Sequence, residues 1–414
     1  MNYKIPRGTF DILPADSYKW QYVQRVFREV AAAFGYREIT TPIFEMAELF
    51  ERSSGESSDV VQKEMYRFND QRGRTFALRP EGTAPVVRSY VENHLEMQGS
   101  RSKLYYIGPM FRYDRPQAGR YRQFYQYGVE FIGSNHPYYD AEVIALEMTF
   151  LKTLGIKNAR LEINSVGCGD CSKDYDAALR AFFEPHIADL CPDCQRRYEL
   201  KPRRLLDCKV PSCKALRAGA PSQFDFLDAK CKEHFDAVCQ YLDSMGIAYT
   251  INPAIVRGLD YYTGMVFEGF AQNLGAENQI LGGGTYRLAH LFGGDDVASC
   301  GFAIGFDRVM VSLGDIQPAT VPVVGLVCTT EGRTRALVVA KALRDAGIRT
   351  EMDLMGRGLG AQLAHAVKTA NFAIVIGQRE VESGHVTLKN LTTAEQKTVD
   401  LAAAIAEVRA FGPR

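Results

Sequence analysis

The sequence has 414 residues, 46% of them hydrophobic, which is enough apolar material for two or three hydrophobic cores. Lysine plus arginine equals aspartate plus glutamate at 49 each, which excludes attraction of nucleic acid by a whole-molecule field and leaves only local basic patches. The first residues have no signal-peptide core and the longest apolar run, 321–328, is too short to span a bilayer, so we expect a cytoplasmic multidomain protein with no membrane partner.

The first predicted element is a helix that follows residues 7–14. Asp16 or Ser17 could cap it, and its apolar residues recur on one face. The residues of this face are Trp20, Val23, Val26, Phe27 and Val30. Residues 34–36 end the helix, and residues 37–43 alternate like a strand in which Pro42 requires an edge or a bulge.

A short hairpin and a second helix come next. Residues 66–68 and 76–78 are predicted to be its strands, joined across residues 69–74. Glu81 and Thr83 then place a carboxylate and a hydroxyl at the turn before a helix over 84–92. Taken alone, this arrangement is that of a capped helix N-terminus.

The most informative stretch is residues 108–130, which is polar, aromatic and basic at once. Its composition predicts two strands joined by a cationic loop. Arg112 lies on the first strand, and Gln126 and Glu130 lie four residues apart on the second and so share a face. An anion site would then sit beside a site for a hydrogen-bonding cation. An ordinary solvated hairpin would not need Gln126 and Glu130 within so aromatic a run.

A change in composition follows a predicted helix over 141–154 and a strand over 161–165. Seven of the ten cysteines lie between residues 168 and 231, and we predict that residues 168–245 form an inserted, mainly helical domain. Without an export signal these cysteines are expected to be thiols or metal ligands.

Cysteine spacing leaves both interpretations open. Two C-x-x-C pairs have a separation typical of one tetrahedral zinc site, and two more cysteines are further candidates. The six are Cys168, Cys171, Cys191, Cys194, Cys208 and Cys213. Cys231 lies on an apolar helical stripe with Cys239 beside it, so these two are expected to pack as small hydrophobic residues.

Glycines, arginines and aromatic residues recur between 256 and 309. Arg257 precedes the pair Tyr261 and Tyr262, which offers a bidentate anion clamp beside hydrogen-bonding rings. Three glycines at 282–284 let the backbone approach a ligand closely. Residues 301–309 are predicted to be a strand that runs into a helix.

The C-terminal part, 321–414, follows a plausible linker at residues 317–318 and alternates between strands and helices. Helices are predicted over 334–346, 359–368 and 401–409, and strands over 321–327, 350–352, 372–376 and near 385–388. This pattern indicates an independent α/β domain.

These motifs resemble those of one family. Residues 111–130 are similar, nearly residue for residue, to motif 2 of the histidyl-tRNA synthetases, which are class II aminoacyl-tRNA synthetases. Residues 7–14 resemble the N-terminal signature of that family, and residues 257–264, RGLDYYTG, resemble a signature peculiar to it. The first helix and strand resemble motif 1, which forms the class II homodimer interface, and residues 301–309 resemble motif 3.

This resemblance covers essentially the whole chain and implies an α+β fold class. An antiparallel class II β-sheet catalytic core with flanking helices is expected over 1–167 and 246–318. The Cys-rich insertion domain would occupy 168–245, and a C-terminal α/β anticodon-binding domain 321–414.

The resemblance also implies roles for single residues. Arg112 and Arg257 would act on the reacting groups, with Arg112 on the α-phosphate of ATP and Arg308 on the γ-phosphate. Arg115 and Gln117 would meet the acceptor end of the tRNA. The residues implied to bind histidine are Glu81, Thr83, Arg112, Gln126, Glu130, Arg257, Tyr261, Tyr262 and Tyr286.

One motif departs from the family. After the three glycines the family has Arg, Tyr and Asp, whereas this chain has Thr285, Tyr286 and Arg287. Roles of the flanking Arg and Asp are therefore not carried over.

The implied activity joins L-histidine to tRNA(His) with ATP and Mg²⁺, and the implied assembly is a homodimer. Binding of structural Zn²⁺ is left open by the sequence. One alternative is the catalytically inactive paralogue that regulates ATP phosphoribosyltransferase, which typically lacks the C-terminal domain and several motif residues. The other is a synthetase for a different amino acid, against which Gln126, Glu130 and residues 257–264 argue.

Overall fold

The computed structural model describes residues 3–55, 58–99, 101–116, 119–206, 208–255, 259, 261–271, 279–314, 316 and 321–411. The chain divides into two compact units, Met1–Ile316 and Gln317–Arg414. Within the described ranges, no helix combines the length and the apolar character that crossing a membrane requires.

The first unit contains helices and strands of very different length. Its α-helices are α1 (Pro14–Ala33), α2 (Ala47–Ser54), α3 (Thr83–Glu92), α4 (Pro137–Thr153), α5 (Gly169–Phe183), α6 (Pro192–Leu200), α7 (Pro211–Leu216), α8 (Ala229–Ser244) and α9 (Phe306–Leu313). Its strands are β1 (Arg37–Glu38), β2 (Phe44–Met46), β3 (Arg67–Asn69), β4 (Thr75–Leu78), β5 (Ser102–Phe111), β6 (Gln123–Ile132), β7 (Arg160–Ser165), β8 (Thr250–Ile251), β9 (Tyr262–Phe270), β10 (Gln279–Tyr286) and β11 (Ser299–Gly305).

An eight-stranded sheet organises this unit, in the order β1-β5-β6-β11-β10-β9-β7-β8. Neighbouring strands from β5 to β7 pair antiparallel, and only the outer pairs β1–β5 and β7–β8 are parallel. A small antiparallel sheet has the order β2-β4-β3 and contains the predicted hairpin. The predicted antiparallel core is confirmed.

The two faces of the large sheet have different partners. On one face α1 and α4 pack against alternate residues of β6 and β11, and burying each large apolar side chain there contributes about 1.5 to 3 kcal/mol. This core includes Val23 and Phe27 of α1, Phe150 of α4, Val129 of β6 and Phe302 of β11. All five residues of the predicted α1 face are buried. The other face carries α3 near its β5 side.

Two local predictions near the N-terminus are wrong. α1 begins at Pro14, which suits the first helical position because proline lacks an N–H, and neither Asp16 nor Ser17 caps it. The predicted strand over 37–43 ends at Glu38. Beyond it, the carbonyl of Thr41 accepts a 3.0 Å hydrogen bond from the buried Arg79 guanidinium, and Pro42 has no N–H for a sheet.

The stretch 168–245 is helical, as predicted, with α5 to α8 and no strand among its described residues. α5 to α7 enclose a small core with Tyr175, Leu179 and Phe183, whereas α8 contributes to the main core. The two C-x-x-C pairs do not converge on one site. Each lies in a separate cluster, and Cys231, expected in an apolar stripe, belongs to one of these clusters. Cys239 packs against the main core, as predicted.

The second unit is an α/β domain, as predicted. Its strands are β12 (Val323–Cys328), β13 (Arg349–Met352), β14 (Phe372–Ile376), β15 (Val386–Asn390) and β16 (Gln396–Val399). Its helices are α10 (Arg333–Asp345), α11 (Leu359–Thr369), α12 (Gln378–Ser383) and α13 (Leu401–Ala410). The sheet order is β13-β12-β14-β15-β16, parallel through β14 and antiparallel beyond.

Candidate active site

The centre of the large sheet has a face almost without side chains. Gly128 of β6 lies opposite Ala303 of β11, which lies opposite Gly282 of β10. Because side chains alternate along a strand, the positions two residues away share this face. The face is therefore formed by Gly128, Gly282, Gly284, Gly301, Ala303 and Gly305, which we call the glycine floor. Residues this small let neighbouring groups approach the strand backbone closely.

Glu130 stands at the edge of the glycine floor, beside Gly301. Its side chain is only 1% exposed. Oε1 accepts a 2.7 Å hydrogen bond from the Thr83 hydroxyl, and Oε2 accepts a 2.5 Å hydrogen bond from the Tyr286 hydroxyl. Burial raises the pKa of Glu130 to about 8, although both hydrogen bonds act in the opposite direction. The carboxyl is thus held in one orientation and shielded from solvent.

Gly301 is required next to Glu130. A methyl group at Gly301 would lie 2.0 Å from Glu130 Oε2 and 2.4 Å from the carbonyl oxygen of Val129. We therefore expect Gly301→Ala to lower the free energy of unfolding by about 1 to 3 kcal/mol, because the strand or Glu130 must shift. Thermal unfolding measures the loss.

Gly305→Ala is the matched control for Gly301→Ala. A methyl group at Gly305 would have its nearest neighbours 3.8 Å away, in the Arg308 side chain and the Ile280 carbonyl oxygen. An equal melting temperature for both variants would contradict close packing of Gly301 on Glu130.

Glu81 lies just before α3 and binds its first backbone groups. Its two oxygens accept hydrogen bonds from the N–H of Thr83 at 2.6 Å and of Ala84 at 2.9 Å. Burial raises the pKa of Glu81, and these bonds and the charge of Arg112 act in the opposite direction. The predicted helix N-terminus is present, with Glu81 as the capping side chain and the Thr83 hydroxyl directed to Glu130.

Tyr106, which the sequence reasoning missed, joins the Glu81 turn to the sheet. Its ring lies against Gly82 and Gly128, so that a methyl group at either position would come within 2.2 Å and 2.3 Å of ring carbons. The sequence signal is the pair of glycines, one beside Glu81 and one between Gln126 and Glu130.

Polar and aromatic groups complete this side of the floor. Gln126 Oε1 is buried and has no hydrogen-bond partner among the residues that the structure describes. Leaving such an acceptor unpaired costs about 1 to 3 kcal/mol, which a donor on a ligand would remove. The ring of Tyr261 lies 4.7 Å from that of Tyr262 and 5.6 Å from that of Tyr286. Together these residues offer carboxyl, amide and hydroxyl groups suited to an ammonium and an N–H donor.

Two of the predicted arginines lie at the ends of strands that border the floor. Arg112 lies one residue beyond β5 instead of within it, and its Nε donates a 2.9 Å hydrogen bond to the Pro80 carbonyl. Arg308, in the first turn of α9, donates through Nη1 to the Gln279 carbonyl at 2.5 Å. The strand-to-helix join predicted for residues 301–309 is confirmed.

The other three predicted site residues are Arg115, Arg257 and Gln117. Arg115 is exposed in the loop between β5 and β6. Arg257 and Gln117 lie outside the described residues, so their roles stay predictions.

The residues beside Tyr286 bind aspartates that sequence reasoning did not single out. Thr285 Oγ1 lies 3.4 Å from both carboxylate oxygens of Asp140, and Asp140 Oδ2 lies 2.6 Å from Nε2 of His234 on α8. Arg287 Nη1 is 3.1 Å from Asp296 Oδ1. Thr285 thus takes part in a polar contact between β10, α4 and α8, on the side opposite to the floor.

Two family models match this chain. The model of histidyl-tRNA synthetase matches residues 8–170 and 214–309. The chain belongs to the histidyl-tRNA synthetase family. A second model, of the anticodon binding domain, matches residues 322–411. The residues between the two parts of the first match, 171–213, hold five of the clustered cysteines.

Relatives of this chain are similar over nearly their whole length. The histidine–tRNA ligase of Methanoregula boonei is 49% identical over 425 residues, 99% of each chain. That of Caldanaerobacter subterraneus subsp. tengcongensis is 45% identical over 403 residues, 96% of this chain and 97% of the relative.

Solved structures share the fold. The apo histidyl-tRNA synthetase of S. aureus matches with a TM-score of 0.81 and 39% identity, covering 99% of this chain and 100% of that one. A Bacillus halodurans protein named as an ATP phosphoribosyltransferase regulatory subunit/histidyl-tRNA synthetase has a TM-score of 0.67 at 23% identity, over 91% of this chain and 98% of that one, which shows the fold alone.

Proposed function

We propose that this protein is a histidine–tRNA ligase. It activates L-histidine with ATP to histidyl-adenylate and transfers the histidyl group to the 3′ end of tRNA(His), releasing pyrophosphate and AMP. The observation that carries this proposal is the buried Glu130, oriented by Thr83 and Tyr286 beside the glycine floor of an antiparallel sheet.

Histidine would be read at both ends of its side chain and at its ammonium group. Glu130 accepts from one imidazole N–H while Tyr262 meets the other ring nitrogen. Glu81, Thr83 and Gln126 hold the α-ammonium group, which explains the unpaired acceptor on Gln126. Tyr261 and Tyr286 form the aromatic wall. Burial raises the pKa of Tyr286 well above its usual range, so this tyrosine stays a donor to Glu130.

Adenylate formation needs positioning and charge stabilisation. A carboxylate oxygen of histidine bonds to the α-phosphorus of ATP, and the bond from that phosphorus to the pyrophosphate oxygen breaks. Arg112 and Arg257 would stabilise the charge that develops on the α-phosphate, and Arg308 would hold the γ-phosphate. ATP enters as its Mg²⁺ complex, so this ion is part of the substrate. No covalent bond to the enzyme is needed.

Transfer uses the second substrate, tRNA(His). The terminal ribose hydroxyl attacks the carbonyl carbon of the adenylate, and AMP leaves. Arg115 and Gln117 would contact the acceptor end, and the domain over 321–414 would bind the anticodon region. The catalytic domain would comprise 1–167 and 246–318, with 168–245 as its insertion, and the enzyme would act in the cytoplasm.

A homodimer belongs to the same proposal. Residues Ile43, Phe44, Met46 and Phe68, on or beside the small sheet, are 42% to 47% exposed although they are large and apolar. Such a group of exposed apolar side chains is typical of an interface. A monomeric mass from light scattering at micromolar concentration would contradict the dimer.

Histidine-dependent exchange of pyrophosphate into ATP tests the activity. We expect exchange with L-histidine and not with other amino acids, followed by histidylation of a tRNA(His) transcript. Absence of exchange by folded protein would favour the regulatory paralogue. Exchange with a different amino acid would overturn the imidazole pocket.

A further inference from the structure

Eight side chains in the helical stretch gather into two groups. In each group, four ligand atoms all lie within 4.8 Å of one another. The four-cysteine cluster consists of Cys191, Cys194, Cys208 and Cys213, and the aspartate cluster of Cys168, Cys171, Asp228 and Cys231. We propose that this stretch binds two structural Zn²⁺ ions, one in each cluster.

Sulfur separations in both clusters are those of ligands around a common ion. The Sγ atoms of Cys191 and Cys208 are 3.9 Å apart, and those of Cys168 and Cys171 are 3.5 Å apart. Four thiolates at about 2.3 Å from a tetrahedral zinc ion lie about 3.8 Å from one another. A disulfide would bring its sulfurs to about 2.05 Å. The seven cysteines and one aspartate of the two clusters are all of the ligand types that zinc takes.

Backbone donors point at sulfur in both clusters. The N–H of Cys191 donates to Cys213 Sγ at 3.3 Å, and the N–H of Asp228 donates to Cys171 Sγ at 3.2 Å. Such bonds stabilise the negative charge of a thiolate and orient it towards a metal. Cys168 and Cys191 are also the residues that precede the first turns of α5 and α6, where the helix dipole favours an anion.

The two carboxylate oxygens of Asp228 have different partners. Oδ1 accepts the N–H of Cys231 at 2.7 Å and so caps α8. Oδ2 lies 3.4 Å from Cys168 Sγ, within the aspartate cluster. Oδ1 thus caps the helix, and Oδ2 is left to bind a metal ion.

The clusters lie where cross-links would hold this stretch together. The aspartate cluster joins the start of α5 to the start of α8, the two ends of the stretch. The four-cysteine cluster joins α6 to α7 within the small core, where Cys194 is 0% and Cys213 1% exposed. A core this small gains much from a structural metal, and thiols packed only as apolar groups have no need to converge.

Metal content of the wild-type protein is the first test. We expect about two zinc ions per chain by elemental analysis after purification without chelator. Cys191→Ser with Cys194→Ser should remove one ion, and Cys168→Ser with Cys171→Ser should remove the other. Cys239→Ser, outside both clusters, is the control and should keep both.

Asp228→Asn is the sharper variant, because asparagine caps helices as well as aspartate but offers no carboxylate. We expect it to fold and to lose only the zinc of the aspartate cluster to a chelator. If the double variants do not fold, wild-type protein loaded with Co²⁺ provides a separate test of the two sites. Thiolate-to-cobalt charge-transfer absorption for two equivalents supports two sites.

Four results would overturn the proposal in whole or in part. Less than one metal ion per chain with unmodified thiols, or iron in place of zinc, would overturn both sites. A single ion that the Cys191 and Cys194 substitutions alone remove would overturn the aspartate site. Loss of zinc in the Cys239 control would show that the metal lies elsewhere. None of these results depends on histidine-dependent exchange.

Discussion

Arg112→Ala is expected to lower the rate of histidyl-adenylate formation by about 10² to 10³, corresponding to roughly 2.7 to 4 kcal/mol of transition-state stabilisation. Arg112 is held by the Pro80 carbonyl through Nε and lies with its guanidinium carbon 5.4 Å from the centre of the Phe124 ring. Its Nη atoms have no hydrogen-bond partner among the described residues, so they are available to a phosphate.

Pyrophosphate exchange with ATP and histidine varied in turn measures this loss. We expect kcat to fall more than the KM for ATP rises, because the charge on the α-phosphate grows in the transition state. Arg112→Lys should recover part of the activity, since lysine keeps the charge but not the planar pair of donors. Arg74→Ala, on an exposed turn, is the control. Near-normal exchange by a folded Arg112→Ala protein would show that Arg112 does not stabilise the transition state.

Local chemistry was enough to predict the hairpin that carries the site. Its aromatic and β-branched residues favour strands, and its turn residues favour a loop. Both preferences depend only on a few residues that are adjacent in the sequence. Glu130 and Gln126 therefore share a face as predicted. The same local signals failed at the start of α1, where proline supplies the first turn without a side-chain cap.

Contacts between residues that are far apart in the sequence could not be predicted from it. Thr83 and Glu130 are 47 residues apart and meet only because α3 returns to the face of β6. The glycine floor exists because β6, β11 and β10 pair in one register, and a shift by one residue would place the glycines in the core. Cysteine spacing likewise grouped the two C-x-x-C pairs together, whereas the helices separate them.

Ionisation of Glu130 should control histidine binding. Burial raises the pKa of this carboxyl to about 8, so near pH 7 the free protein holds it mostly protonated. Histidine that donates an N–H to the carboxylate binds the ionised form, so its affinity rises with pH. From pH 7 to 8.5 the ionised fraction, and with it 1/KM for histidine, should rise about eightfold.

The raised pKa of Glu130 makes folding stability fall as the pH rises, whereas it makes the affinity for histidine increase. The unfolded chain releases this proton near the ordinary value for glutamate, so between that value and about pH 8 the folded state holds one more proton. The contribution of Glu130 to stability is therefore fully present at acid pH and is lost as the pH rises through about 8.

Glu130→Gln should raise the KM for histidine between about tenfold and about 150-fold and leave the KM for ATP nearly unchanged. Glutamine keeps the size of the side chain and can still accept from Tyr286, but the lost charged hydrogen bond is worth about 1.5 to 3 kcal/mol. The variant should also lose the rise of 1/KM between pH 7 and 8.5, because it has no proton to release. Pyrophosphate exchange at several pH values, with Glu142→Gln as the control at a glutamate paired with Lys103, measures both effects. An equal rise of KM for both substrates with the wild-type pH profile would instead make Glu130 a support of the sheet through Thr83 and Tyr286.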